Sequence, residues 1–195
     1  MSAQVQAQQQ HYSPEDYLDL EEAAEYKSEY HDGEIFIMAG GTINHNQISL
    51  NLCTAMRSVV KKQGFRVFMA DVRLWIPYVR SYLYPDVMVI GSPPAYFQNR
   101  KDTVTNPQMI IEVLSKSTQD YDRGEKFKYY RTLPSFSEYV LVSQSDVYVE
   151  QFSKTPDNHW LWRTYEADEE TLELKSFPFE MSLKDIYEQV DFEGS

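Results

Sequence analysis

Two carboxylates stand where an unassisted carboxylate is costly. Asp86 follows Tyr84-Pro85 and leads into Val-Met-Val-Ile, and Glu112 interrupts Met-Ile-Ile before Val-Leu. A buried carboxylate needs a cation, a metal ion or hydrogen bonds. The two are 26 residues apart, room for a strand, a loop and a return strand that bring both to one sheet edge. Two such oxygens, with a backbone carbonyl and waters, suit Mg²⁺ or Mn²⁺. Lys126 is the third candidate, four residues before Tyr130 on a predicted helix. It could orient or deprotonate a water, or stabilise charge building on a phosphate. Lys116, four residues after Glu112, and Lys128 are its rivals. The plainer readings are a loop cap for Asp86, a buried ion pair for Glu112 and a solvated helix face for Lys126.

These residues need elements to hold them. Ser13, Pro14 and Asp16 mark the start of a helix over Tyr12 to Glu25. Asp32-Gly33 between β-prone runs predicts a hairpin, and Gly40-Gly41 closes its second strand. Ile48, Leu52, Ala55, Met56 and Val59 recur at helical spacing over His45 to Lys62, which Gly64 ends. Phe65 to Met69 and Asp71 to Ile76 read as one bent strand or a strand pair. Tyr84 to Ile90, Gln108 to Leu114 and Glu138 to Ser143 read as strands buried on both faces. Ser92 to Asn106 is expected as loop, Gln119 to Leu133 as a second helix, and Leu183 to Val190 as a short closing helix. Val147 to Ser153, Trp160 to Tyr165 and Thr171 to Lys175 suggest an antiparallel meander. The order predicts an α/β or α+β core, with a mixed central sheet in a single domain over 12–190 and a disordered tail over 1–11.

The pieces together resemble a known pattern. Pro85-Asp86 followed by Glu112-Val113-Leu114 resembles the PD-(D/E)xK nuclease motif, with Leu114 where that motif has its lysine. Further matches are Glu29-Tyr-His-Asp-Gly33-Glu34, Met38 with Gly41 and His45, and Ile111 to Ser115 with Ser117-Thr118. They continue through Asp122-Arg-Gly-Glu-Lys126, Tyr130 and Glu138-Tyr139. In this order they resemble the Uma family of putative restriction endonucleases, over roughly Asp16 to Tyr187. The resemblance implies a restriction-endonuclease-like core. It implies Asp86, Glu112 and the Val113 backbone carbonyl as metal ligands, and Lys126 as a catalytic lysine displaced onto the following helix. Glu29, His45 and Tyr130 are possible additions to the site. The implied reaction is hydrolysis of a DNA phosphodiester by a metal-activated water.

Residue by residue, the plain alternatives remain. His45 could simply begin its helix, and Glu29 could lie on a solvated hairpin face. Asp71 is expected to pair with Arg73 or cap a turn, and Cys53 to be a small apolar core residue. Trp160, Trp162 and Tyr165 could stack on bases, though core or dimer packing accounts for them more simply.

Composition sets the outer bounds. The 195 residues carry 30 acids against 18 Lys and Arg, for a net charge of −12. Taken whole, that argues against a bulk electrostatic nucleic-acid binder. The charge is uneven, however: −8 in residues 11–34, +4 in 35–163 and −8 in 164–195. The segment with the candidate site is mildly basic, so a DNA substrate stays open, bound weakly without the metal. The single cysteine makes no internal disulfide, which fits a cytoplasmic setting. No run of about 18 apolar residues predicts a membrane helix. A homodimer through the meander is expected, since cleaving two strands calls for two sites. Two other readings compete: a non-catalytic nucleic-acid-binding or regulatory module on the nuclease scaffold, and an acid/base pair acting on a glycoside.

Overall fold

The computed structural model describes residues 11–91 and 93–192. Apart from His11, the expected tail lies outside them. Helix α1 (Pro14–Ala23) starts with a reciprocal cap: Ser13 Oγ accepts from the Asp16 N–H, and Asp16 accepts from the Ser13 N–H, each at 3.0 Å. Strands β1 (Ser28–His31) and β2 (Glu34–Ile37) reverse through Asp32 (φ 39°) and Gly33 (φ 109°), both left-handed as a two-residue hairpin turn requires. Helix α2 (Ile43–Lys62) is capped by Thr42 and buries Ile48, Leu52, Met56 and Val60 along one stripe.

Strands β3 (Arg66–Met69), β4 (Arg73–Ile76), β5 (Ser81–Leu83), β6 (Val87–Ile90), β7 (Thr103–Val104) and β8 (Met109–Leu114) follow. The helical run after β8 is α3 (Gln119–Tyr121), a π-helical stretch (Asp122–Lys126) and α4 (Phe127–Tyr130). Then come β9 (Glu138–Ser143), β10 (Val149–Lys154), β11 (Trp160–Tyr165), β12 (Thr171–Glu173), β13 (Glu180–Ser182) and α5 (Leu183–Ile186).

A six-stranded mixed sheet runs β11-β10-β9-β8-β6-β3, and a five-stranded sheet runs β2-β1-β5-β4-β7. Strand β8 is central in the first, parallel to β9 and antiparallel to β6. Its alternation sorts the core. Met109, Ile111 and Val113 face α2 and the C-terminal segment, whereas Ile110 and Leu114 face α4 and the second sheet. Glu112 shares parity with Ile110 and Leu114, so it points toward the helical run after β8. Asp86 lies where the chain leaves β5 in one sheet and enters β6 in the other.

The mixed central sheet, the N-terminal hairpin and the buried central strands match the sequence reading. Other elements depart from it. Residues 65–76 form two strands that belong to different sheets, so the bend is a sheet crossing. The expected loop over 92–106 contains β7, which pairs in parallel with β4. The helix over 119–133 is interrupted by the π-helical stretch and ends at Tyr130. Only β9, β10 and β11 make a meander; β12 pairs instead with β13 in a separate ribbon. Helix α5 is four residues long.

Candidate active site

Asp86, Glu112 and Lys126 converge. The Asp86 N–H donates to Glu112 Oε2 (3.2 Å), and the Val113 N–H donates to Asp86 Oδ2 (2.7 Å). Lys126 Nζ donates to Glu112 Oε1 (3.2 Å), which also accepts from the Tyr130 hydroxyl (2.6 Å). Lys126 and Tyr130 are one helical turn apart, and Glu112 projects from β8 between them. Lys128 pairs with Glu125 at the surface and Lys116 is exposed in the loop after β8, so neither rival lysine reaches the carboxylates.

His45, in the first turn of α2, closes the outer side. Its Nε2 lies 2.9 Å from Asp86 Oδ1. The side chains of His45 and Asp86 are 23% and 18% exposed, against 2% for Glu112 and 10% for Lys126, so the site deepens from Asp86 inward. Burial works against the His45 cation, but the hydrogen bond and charge of Asp86 outweigh it and shift the imidazole upward.

Glu29 is not on a solvated face. It is buried, accepts the Tyr84 N–H at 3.2 Å and lies 3.8 Å from Lys126 Nζ. Asp71 pairs with Lys27 rather than Arg73. Arg73 instead donates to the Tyr84 hydroxyl and lies over the rings of Tyr17, Tyr82 and Tyr84. Cys53 packs against the core beneath α2, and burial pushes its thiol up to about 11. Trp160 packs on Phe127 and Phe136, Tyr165 is buried, and Trp162 stands exposed.

Asp122, without a role in the expected site, is buried with Oδ1 3.0 Å from Lys126 Nζ. That oxygen is at ion-pair distance without hydrogen-bond geometry. The signal was present as the i, i+4 spacing within Asp122-Arg-Gly-Glu-Lys126. The π-helical stretch that spans these two residues is anchored by the Tyr139 hydroxyl, which donates to the Asp122 carbonyl (3.0 Å).

Lys126 therefore sits among Glu112, Asp122 and Glu29. Burial disfavours its charge, yet these three carboxylates hold its pKa well above the ordinary range. Burial also pushes Glu112 upward, reinforced by Asp86 and Asp122, while Lys126 and Tyr130 pull it down. Four carboxylates against one lysine and one histidine leave the cluster short of positive charge.

The donor set fits a hard divalent ion. Asp86 and Glu112 offer carboxylate oxygens, and such ions are held by one or two carboxylates with waters completing the shell. Among the described residues no three His, Cys, Asp or Glu side chains are arranged as a metal site, so a third protein ligand would come from the backbone. Val113 can supply it. Continuing the β6–β8 register sets Val113 opposite Pro85, which has no N–H to take up its carbonyl in the ladder.

A family model described as "Putative restriction endonuclease", Uma2, matches residues 14–185. An uncharacterized protein from Synechocystis sp. is 42% identical over 146 residues, covering 75% of this chain and 82% of its own length. A second uncharacterized Synechocystis protein is 37% identical over 182 residues, covering 92% and 93%. The crystal structure of a putative nuclease belonging to DUF820 from Anabaena variabilis superposes with a TM-score of 0.74. It covers 90% of this chain and 97% of that one at 20% identity, a likeness that shows the fold alone.

Proposed function

Because this chain belongs to the Uma2 family of putative restriction endonucleases, we propose that it is a divalent-metal-dependent nuclease that hydrolyses phosphodiester bonds in DNA. In this reading Asp86, Glu112 and the Val113 carbonyl hold Mg²⁺ or Mn²⁺. A bound ion of this kind polarises a phosphoryl oxygen and lowers the pKa of a water. Lys126, kept cationic by three carboxylates, supplies positive charge and is not a base. Tyr130 and Lys126 fix Glu112, and Asp122 and Glu29 fix Lys126. His45 orients Asp86 and is exposed enough to donate to a phosphate. The observation that carries the reading is the pair of 3.2 Å contacts on Glu112, from the Asp86 N–H and from Lys126.

The net charge of +4 over residues 35–163 supports an anionic substrate. No helix among the described residues is long and apolar enough to cross a membrane. The single cysteine fits a reducing setting, and we place the activity in the cytoplasm on that ground. One observation favours a non-catalytic nucleic-acid-binding module instead. Every carboxylate oxygen of Asp86 and Glu112 already has a protein partner, so a metal must displace or share them. Plasmid incubated with the protein and Mg²⁺ or Mn²⁺ separates the readings. Nicking that disappears in Asp86→Ala supports the nuclease, and nicking that survives in it refutes these ligands.

A further inference from the structure

A groove of about 920 Å³ runs along the outer face of α2, away from Asp86 and Glu112. Leu50, Thr54 and Val59 form one wall; Glu180 on β13, Asp185 and Glu188 stand on the other. With Glu173, the lining holds four carboxylates and no Lys, Arg or His. The groove therefore calls for an occupant that is apolar at its centre and cationic at its edge.

Helix α2 has that character itself. Leu50, Thr54, Arg57 and Lys61 stand exposed along it at helical spacing, with Leu50 47% exposed. Among the described residues Arg57 and Lys61 have no ion-pair partner, and neither do Glu180, Asp185 and Glu188. Cations and anions thus flank one groove without meeting inside one chain.

We propose that this face joins two copies of the chain, with α2 of each lying in the groove of the other. A two-fold axis perpendicular to α2 makes the contact antiparallel and self-complementary. With the axis at Thr54, Arg57 of one copy comes opposite Asn51 of the second copy. Asn51 Nδ2 donates to the Ile186 and Glu188 carbonyls at 3.0 and 2.9 Å, so that Arg57 arrives beside Glu188. Leu50, opposite Ser58, is covered. At a rise of about 1.5 Å per residue, the two His45 residues lie about 27 Å apart along the helix axis. This interface replaces the β10–β11 meander as the joining surface and does not depend on the nuclease reading.

Sedimentation velocity over a concentration series tests it. The wild type is expected at twice 22.9 kDa. Leu50→Glu and Arg57→Glu each raise the dimer dissociation constant about 30-fold or more, and Arg57→Glu with Glu188→Arg restores it. These positions are exposed, and circular dichroism checks that each variant folds. A wild-type monomer at every concentration overturns the proposal. So does a dimer that persists in Leu50→Glu and Arg57→Glu, or one that Trp162→Arg on the meander edge dissolves.

Discussion

Glu112 and Glu138 are both buried carboxylates, 2% and 0% exposed, on the adjacent parallel strands β8 and β9. Their company differs. Glu138 accepts from neutral donors: Gln151 Nε2 (2.6 Å), the Lys175 and Ser176 N–H groups (each 2.8 Å at closest) and the Ser176 hydroxyl (2.5 Å). It ties the segment after β12 to the central sheet. Glu112 accepts from a lysine and a tyrosine and faces Asp86 and Asp122. Burial alone does not separate a structural carboxylate from a functional one. Neutral donors satisfy a charge, whereas crowded acids leave a shortage that an added cation relieves.

The largest expected effect is on Glu112. Glu112→Gln keeps the shape and removes the charge, so plasmid cleavage should fall by about a thousandfold or more while the melting temperature holds or rises. Glu138→Gln should cleave at the wild-type rate per folded molecule. If the two variants lose cleavage equally, the contrast between the two glutamates is wrong.

Stability should show the reverse order. Glu138→Ala orphans backbone and side-chain donors at one point, costing about 3 kcal/mol. For a chain of this size that is a drop of about 6–12 °C in melting temperature, readable by calorimetry. Activity at a temperature where the variant is folded should persist.

The smallest effect is a slope with pH. Burial and the neighbouring acids shift Glu112 upward from the ordinary carboxyl value of 4.5 in the folded chain. Above that value the folded state binds more protons than the unfolded one, so this group's contribution to stability falls as pH rises. Denaturant titrations from pH 5 to pH 8 should show that decline in the wild type and in Glu138→Gln. In Glu112→Gln it should be flattened.

Much of this arrangement was legible in the chain. Asp86 and Glu112 were visible because each interrupts an apolar run, and an apolar run with a carboxylate in it needs a reason. The hairpin at Asp32-Gly33 and the Ser13 cap were visible because their chemistry is local. What was hidden depended on distant partners. Glu29 stood open between a site carboxylate and a solvated face because a four-residue strand says nothing of what packs over it. The i, i+4 spacing of Asp122 and Lys126 was visible but the burial of Asp122 was not, and the pairing of β12 with β13 instead of β11 is a choice between equally good short strands. The choice of Lys126 over Lys116 and Lys128 rested on the family resemblance, because periodicity alone left the helix face open.

The proposed ligands are Asp86 and Glu112 and not Glu138. Calorimetric titration of the purified protein with Mn²⁺ tests this most directly. Carboxylate-dependent binding is expected in the wild type, with loss in Asp86→Asn and Glu112→Gln and wild-type binding in Glu138→Gln. Binding that is absent in the wild type, or that survives both Asp86→Asn and Glu112→Gln, would contradict it.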